Sequence, residues 1–197
     1  MTAQTDRPTD RRASRALPLA AMLLTGTVAL YIALVAFGNI TDFGTNQQFV
    51  RHVLAMDTTF KGNGLMWRAV ESTAVQDAAY VAIIAWETAA AVLLIAATAL
   101  WAVALRQGQG FRRARRAGTA GLLMLMLLFG GGFIGVGGEW FAMWQSENWN
   151  GLDAATRVVT FVGIALIVTL MPSAETSADD VKTAVGLPVD DAKKVVD

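Results

Sequence analysis

Residues 17 to 37 form a run of 21 positions without one charged side chain. At about 1.5 Å per helical residue such a run crosses the roughly 30 Å hydrocarbon core of a bilayer. Hydrocarbon offers no hydrogen-bond partners, so a lipid-crossing run of this kind folds as a helix that satisfies its own backbone. Three further runs have the same character. Residues 78–105 are apolar apart from Glu87, and residues 117–137 begin in Leu and Met and end in glycines. The fourth, 158–171, is short for a span and extends back to Leu152 if Asp153 and Arg157 lie at the interface, where Arg157 snorkels; Pro172 ends it. The expected architecture is an all-α membrane protein, an antiparallel four-helix transmembrane bundle with spans at about 17–37, 78–105, 117–137 and 152–171. A basic arm over 1–16 and an acidic tail over 172–197 are expected to be mobile.

Charge placement orients the bundle. Arg7, Arg11, Arg12 and Arg15 precede the first span, and Arg106, Arg112, Arg113, Arg115 and Arg116 crowd the short second loop. The long segment 38–77 holds Arg51, Lys61 and Arg68, whereas 138–157 holds only Arg157. The positive-inside rule then puts both termini and the 106–116 loop in the cytoplasm, and segments 38–77 and 138–157 outside. The first span reads as an uncleaved anchor, because it exceeds the ~7–15 apolar residues of a signal peptide and no clear A-x-A site follows. With 54% hydrophobic and 16% charged residues at zero formal net charge, the chain is neither a disordered polymer nor a nucleic-acid binder. Zero cysteines remove disulfides, thiolate metal sites and cysteine nucleophiles together.

The outer segments carry most of the chemistry. Asn39, Asp42 and Asn46 have side chains that bond their own backbone and make turns. Phe49, Val50, Val53 and Leu54 recur at helical spacing, so a short helix is expected over 46–56 and a second over 65–76, separated by Lys61-Gly62-Asn63-Gly64. Together they form an ordered extracytoplasmic cap. The second outer segment carries Trp140, Trp144 and Trp149 in ten residues. Two readings stay open: an aromatic belt at headgroup level, or a ligand or partner wall made by Trp140 and Trp144 on one helical face with Glu139 and Gln145 as polar contacts.

Several of these runs are distinctive. Asn39-Ile-Thr-Asp-Phe-Gly-Thr-Asn46, Phe49-Val-x-His52-Val-Leu-x-Met56-Asp57-Thr58, and Gly138-Glu-Trp-Phe-Ala-Met-Trp-Gln-Ser146 followed by Trp149-Asn-Gly151 resemble the family of predicted small integral membrane proteins called domain of unknown function 2165. The resemblance covers about residues 17–171. It implies a four-span protein of the bacterial inner membrane and brings no activity with it.

Glu87 is the one ionisable residue in the apolar part of a span, roughly nine residues or about 13 Å from its outer end. Burial there is costly unless the group is paired or protonated. It reads either as a proton or cation site, or as a structural hydrogen bond to Arg157 or a Ser/Thr hydroxyl, with Tyr80, Trp86 and Thr88 nearby. His52 is the only histidine, which excludes a haem held by two histidines; a metal site from His52, Asp42, Asp57 and Glu139 is the weaker alternative to a bland surface histidine. Gly130 to Gly135 spell G-x-G-x-x-G without the strand a dinucleotide site needs, so Gly131 and Gly135 are expected to pack a neighbouring helix, or to break the span locally. No cofactor or metal is called for. Walker, H-E-x-x-H and G-x-S-x-G motifs are absent, so enzyme chemistry has no positive sign.

The leading expectation is an accessory, scaffold or interaction subunit whose partners are the bilayer and another membrane protein or a second copy. The alternative is a small proton- or cation-coupled transporter or channel component that uses Glu87 beneath a tryptophan-rich vestibule. A membrane enzyme would require Asp42, His52, Asp57 and Glu139 to converge.

Overall fold

Four helical segments in the computed structural model are long and apolar enough to cross a membrane, three of them single α-helices and the fourth an α-helix joined to a π-helix, and no strand occurs among the described residues. The description covers residues 8–62 and 64–172, with side chains from residue 15 onward. The tail from 173, and residues 1–7 of the arm, lie outside it. Helix α1 spans Pro8–Thr41, α2 Phe43–Ala55, α3 Thr73–Gln107, α4 Phe111–Leu125 and α5 Leu152–Leu170. Residues 8–16, expected as part of an irregular arm, therefore belong to α1. Single 3₁₀ turns at Met66–Arg68 and Met143–Gln145 punctuate the connections, and the expected helix over 65–76 resolves into the first of these turns plus the start of α3.

From Met126 to Trp140 the chain continues α4 as a π-helix, with Phe141 donating its N–H to the Val136 carbonyl five residues back at 3.0 Å. Wide turns of this kind are mostly single-turn insertions, so fifteen residues is an unusual length. It corrects the glycine packing expected from a 3.6-residue period. A Cβ on Gly131 would meet nothing within 4 Å, and one on Gly135 would meet only the Gly130 carbonyl of its own helix. The close approaches fall elsewhere. A Cβ on Gly121 would sit 2.7 Å from Cγ and Cδ2 of the fully buried Leu94, and one on Gly26 would sit 3.2 Å from Thr98.

Helix α1 packs on α3 and α5, α3 on α4, and α4 with its π extension on α5, so the long helices close a ring. Each contributes small or branched apolar side chains at three- and four-residue spacing to one core: Val28 and Ile32, Ala91 and Leu94, Leu122 and Leu125, Val158 and Val162. The opposite faces expose Leu30, Leu34, Val92, Leu127 and Ile167, each more than 60% accessible. In water such faces would be an aggregation hazard; in lipid they are the solvated surface. The tight turn between α3 and α4 uses Gly108 and Gly110 at φ 70° and 87°, a conformation that side chains with a Cβ rarely adopt. Arg115 donates to the Leu170 carbonyl, one of the acceptors left open at the end of α5.

Gly121→Ala overpacks the Leu94 contact at a cost of about 1–3 kcal/mol, only partly offset by the better helix propensity of alanine. Gly131→Ala has free space and is expected to change the melting temperature little. Thermal unfolding of both variants in the same detergent checks the pair. Equal melting temperatures for the two would contradict this packing.

Candidate functional site

Glu87 lies on the buried stripe of α3 that runs Gln76, Tyr80, Ile84, Glu87, Ala91 and Leu94, and it is 2% exposed. Its hydrogen-bond donor comes from α1, which continues four residues past Phe37 and carries Asn39 into the interior. Asn39 Nδ2 donates to Glu87 Oε2 at 2.7 Å. Asn39 Oδ1 in turn accepts from Nδ2 of Asn46 on α2 at 2.6 Å, and the Asn39 backbone carbonyl accepts from the Tyr80 hydroxyl at 3.3 Å. A polar chain thus connects exposed Asn46, through buried Asn39, to the buried carboxyl. Asn39 and Asn46 were expected to make turns on their own backbone; both sit in helices instead, and their amides are used between helices. Arg157 plays no part at Glu87. It is exposed on α5, beside Asp153, Thr156, Thr160 and Phe161.

Glu87, Asn39 and Asn46 line a cavity of about 230 Å³ whose other walls are aromatic or aliphatic, among them Tyr80, Phe49, Phe129 and Phe133. Exposed Tyr31 of α1 and Ala154 of α5 stand at its edge, so the cavity faces outward between these two helices. Phe49, Val50, Ile83 and Phe133 also line a second, almost wholly apolar cavity of about 200 Å³ reaching Phe141 and Met143. Together the pair offers a hydrogen-bonding end and a greasy end.

Helix α2 roofs the site and is clamped to α3. Nε and Nη2 of Arg51 donate to the two carboxylate oxygens of Asp77 at 2.8 Å each, and Gln47 donates to the same carboxylate at 2.9 Å. Two-pronged pairing of this kind fixes orientation as well as distance. The hydrogen bond to Asp77 holds Arg51 further above its ordinary pKa. Gly151 permits the roof to close, because a Cβ there would lie 2.8 Å from the Phe49 ring.

The remaining singled-out residues lie in a layer made by 42–72 packed on 141–151, or, for Glu139 and Trp140, at the end of the π-helix beside it. His52 Nδ1 lies 2.7 Å from Asp57 Oδ2, and its ring stacks on Trp149 at 4.5 Å. Trp140 and Trp144 do not share a helical face, because Ala142 adopts φ 50° between them and turns the chain. Trp140 packs edge-on to Trp67 with Arg68 4.7 Å above its ring, whereas Trp144 packs on Phe60. Exposed Glu139 borders an open groove with Arg68 and Trp140, and exposed Asp42 precedes α2 without capping it. Of the four groups Asp42, His52, Asp57 and Glu139, only His52 and Asp57 are joined by a hydrogen bond. Among the described residues no three His, Asp or Glu side chains group as metal ligands.

A family model described as a predicted small integral membrane protein (DUF2165) matches residues 17–172. The chain belongs to this family. No curated protein and no solved structure matches the chain. The match covers the four membrane-length helices of this DUF2165 protein and all of the Glu87 site.

Phe49 stood out in the sequence only for its helical spacing, and Tyr31 and the Arg51–Asp77 clamp were not singled out. The seven-residue spacing from Tyr80 to Glu87, which puts both on one helix face, is the signal that joins Tyr80 to the site.

Replacing Asn39 with Leu removes the donor and leaves the carboxyl buried, at an expected cost of about 1–3 kcal/mol. Glu87→Gln keeps an acceptor for Asn39 and is expected to cost less than about 1 kcal/mol. The Asn39→Leu, Glu87→Leu double variant should recover part of the loss. A double-mutant cycle in thermal unfolding reads this coupling, and strictly additive effects would sink the pairing.

Proposed function

We propose that this protein binds a small amphiphilic ligand from the bilayer, its cationic or proton-donating head on Glu87 and its apolar body between α1, α5 and the π segment. The observation that carries the reading is a buried carboxyl at the polar end of an otherwise apolar cavity that faces outward between two membrane-length helices. Such groups are rare in spans because they are expensive, and they mark ion, proton or ligand sites. The Asn46–Asn39 chain stabilises the carboxyl and leaves it on the cavity wall. Coupling of the ligand to a proton or small cation makes the same site that of a transporter or channel component.

The topology that goes with this reading is an antiparallel bundle in the bacterial inner membrane, with both termini and the Arg106–Arg116 turn cytoplasmic. The arginine distribution supports it. So do two contacts: Asn39 meets Glu87 while Gly26 meets Thr98, so one sequence descends as the other rises. The 42–72 and 141–151 layer is then the extracytoplasmic cap.

An accessory-subunit role is the second reading, favoured by the aromatic side chains this layer leaves open. Trp67 is 71% exposed, Phe60 58% and Trp144 49%, enough for a belt at the headgroups or a contact with another membrane protein.

The ligand reading is tested on the full chain in nanodiscs with n-hexylammonium and n-hexanol, which share an apolar body and differ in the head. The ammonium should raise the melting temperature more than the alcohol does, and Glu87→Gln should weaken its binding by about tenfold or more, the value of one charge-assisted hydrogen bond. Equal responses to both probes, or an unchanged response in Glu87→Gln, would reject it. Native mass spectrometry of the extracted protein separates the second reading: a defined larger assembly supports a subunit, and a 21 kDa particle carrying a small molecule supports the ligand site.

A further inference from the structure

The threonines of the long helices differ in where their hydroxyls bond. Thr27, Thr41, Thr88, Thr98 and Thr160 do what helical threonines ordinarily do, each donating to the carbonyl four residues back at 2.8–2.9 Å. Thr25 on α1, Thr119 on α4 and Thr169 on α5 do not. Their hydroxyls are buried and meet no protein partner, and Thr25 and Thr169 are 0% and 2% exposed. The indole N–H of Trp101 on α3, 2% exposed, is another buried polar group with no protein partner.

Trp101 Nε1, Thr25 Oγ1 and the methyl of Thr169 surround one point. A Cβ built on Gly118 of α4 would lie 3.6 Å from Trp101 Nε1, 3.8 Å from Thr25 Oγ1 and 3.8 Å from Thr169 Cγ2. Side chains from three helices therefore converge where the fourth helix has none. Ordinary packing does not explain this arrangement, because each unpaired buried polar group costs free energy and the local carbonyls were within reach.

We propose that Thr25, Trp101 and Thr169 bind one buried water molecule in the space beside Gly118. The chemistry selects that ligand. Trp101 offers only a donor, so the bound species must present a lone pair, which excludes a metal cation. Each threonine hydroxyl both donates and accepts, so a single water accepts from the indole and exchanges hydrogen bonds with both hydroxyls. Buried waters in proteins characteristically make about three such bonds to groups that would otherwise be unsatisfied. The absent side chain of Gly118 supplies the room. The water ties α1, α3 and α5 together, in the space that α4 leaves, at a level separate from the Glu87 cavity.

The test rests on what fills the space. A methyl group at Gly118 meets only ordinary van der Waals distances, and alanine is the better helix former, so packing and propensity alone predict that Gly118→Ala is neutral or stabilising. Displacement of a bound water predicts the opposite, a melting temperature several degrees lower. Gly118→Ser returns a hydroxyl to the site and should restore most of the loss. Independently, solid-state NMR of the full ¹⁵N-tryptophan-labelled chain in bilayers should show a water cross-peak to the Trp101 indole, assigned by its loss in Trp101→Phe and absent in Gly118→Ala. A wild-type Trp101 indole without water contact overturns the proposal, as does a Gly118→Ala protein at least as stable as the wild type. A melting temperature that rises with chloride while the water cross-peak is missing also overturns it, in favour of an anion.

Discussion

A carboxyl group in the interior of a membrane-length helix has to find its hydrogen bonds within the protein, because neither hydrocarbon nor a packed apolar core supplies any. Asn39 meets that requirement for Glu87, and several features of the fold follow from the pair. Helix α1 has to run past its apolar segment for Asn39 to reach the interior. Helix α2 has to fold back so that Asn46 satisfies the other end of the Asn39 amide, and Arg51, Gln47 and Asp77 hold it there. The cavity beneath α2 is the space these polar groups leave among aromatic side chains.

Polar and apolar groups alternate along the interior in layers about 10 Å apart, the rise of seven helical residues. On α1 the sequence of levels is Asn39, Ile32, Thr25, and on α3 it is Glu87, Leu94, Trp101, all of them buried. Ile32 and Leu94 are inaccessible, and with Leu122 and Leu125 they separate the Glu87 layer from the Gly118 layer. Exchange at Glu87 is therefore expected on the side of α2 or between α1 and α5, and not along the axis of the bundle. A single polar residue in a layer also fixes register, since sliding one helix by a turn would strand it against apolar neighbours.

The four membrane-length helices were legible because uncharged runs of this length have one outcome in lipid. Glu87 was legible for the same reason, as the exception in such a run. Its partner was not. The apolar run ends at Phe37, before Gly38 and Asn39, and nothing in the local sequence says that the helix continues and turns Asn39 inward. Arg157 carries the complementary charge, but a long cationic side chain near a helix end gains more by reaching water than by entering the core. The glycines of 130–138 were read on a 3.6-residue period, and the π-helix changes which residues stack. The pairing of Trp140 with Trp144 failed at one residue, Ala142, whose left-handed backbone is not written in its side chain. Local patterns report which residues enter the membrane; contacts between distant segments decide what those residues meet.

The Glu87 site stands on the contact between Asn39 and Glu87, and solid-state NMR of the full chain in lipid bilayers measures it most directly. A dipolar cross-peak between the side-chain nitrogen of Asn39 and the carboxyl carbon of Glu87, lost in Asn39→Leu with the helical spectrum intact, is the predicted result. A Glu87 carboxyl carbon coupled instead to an arginine nitrogen, or to no side-chain nitrogen at all, would contradict it.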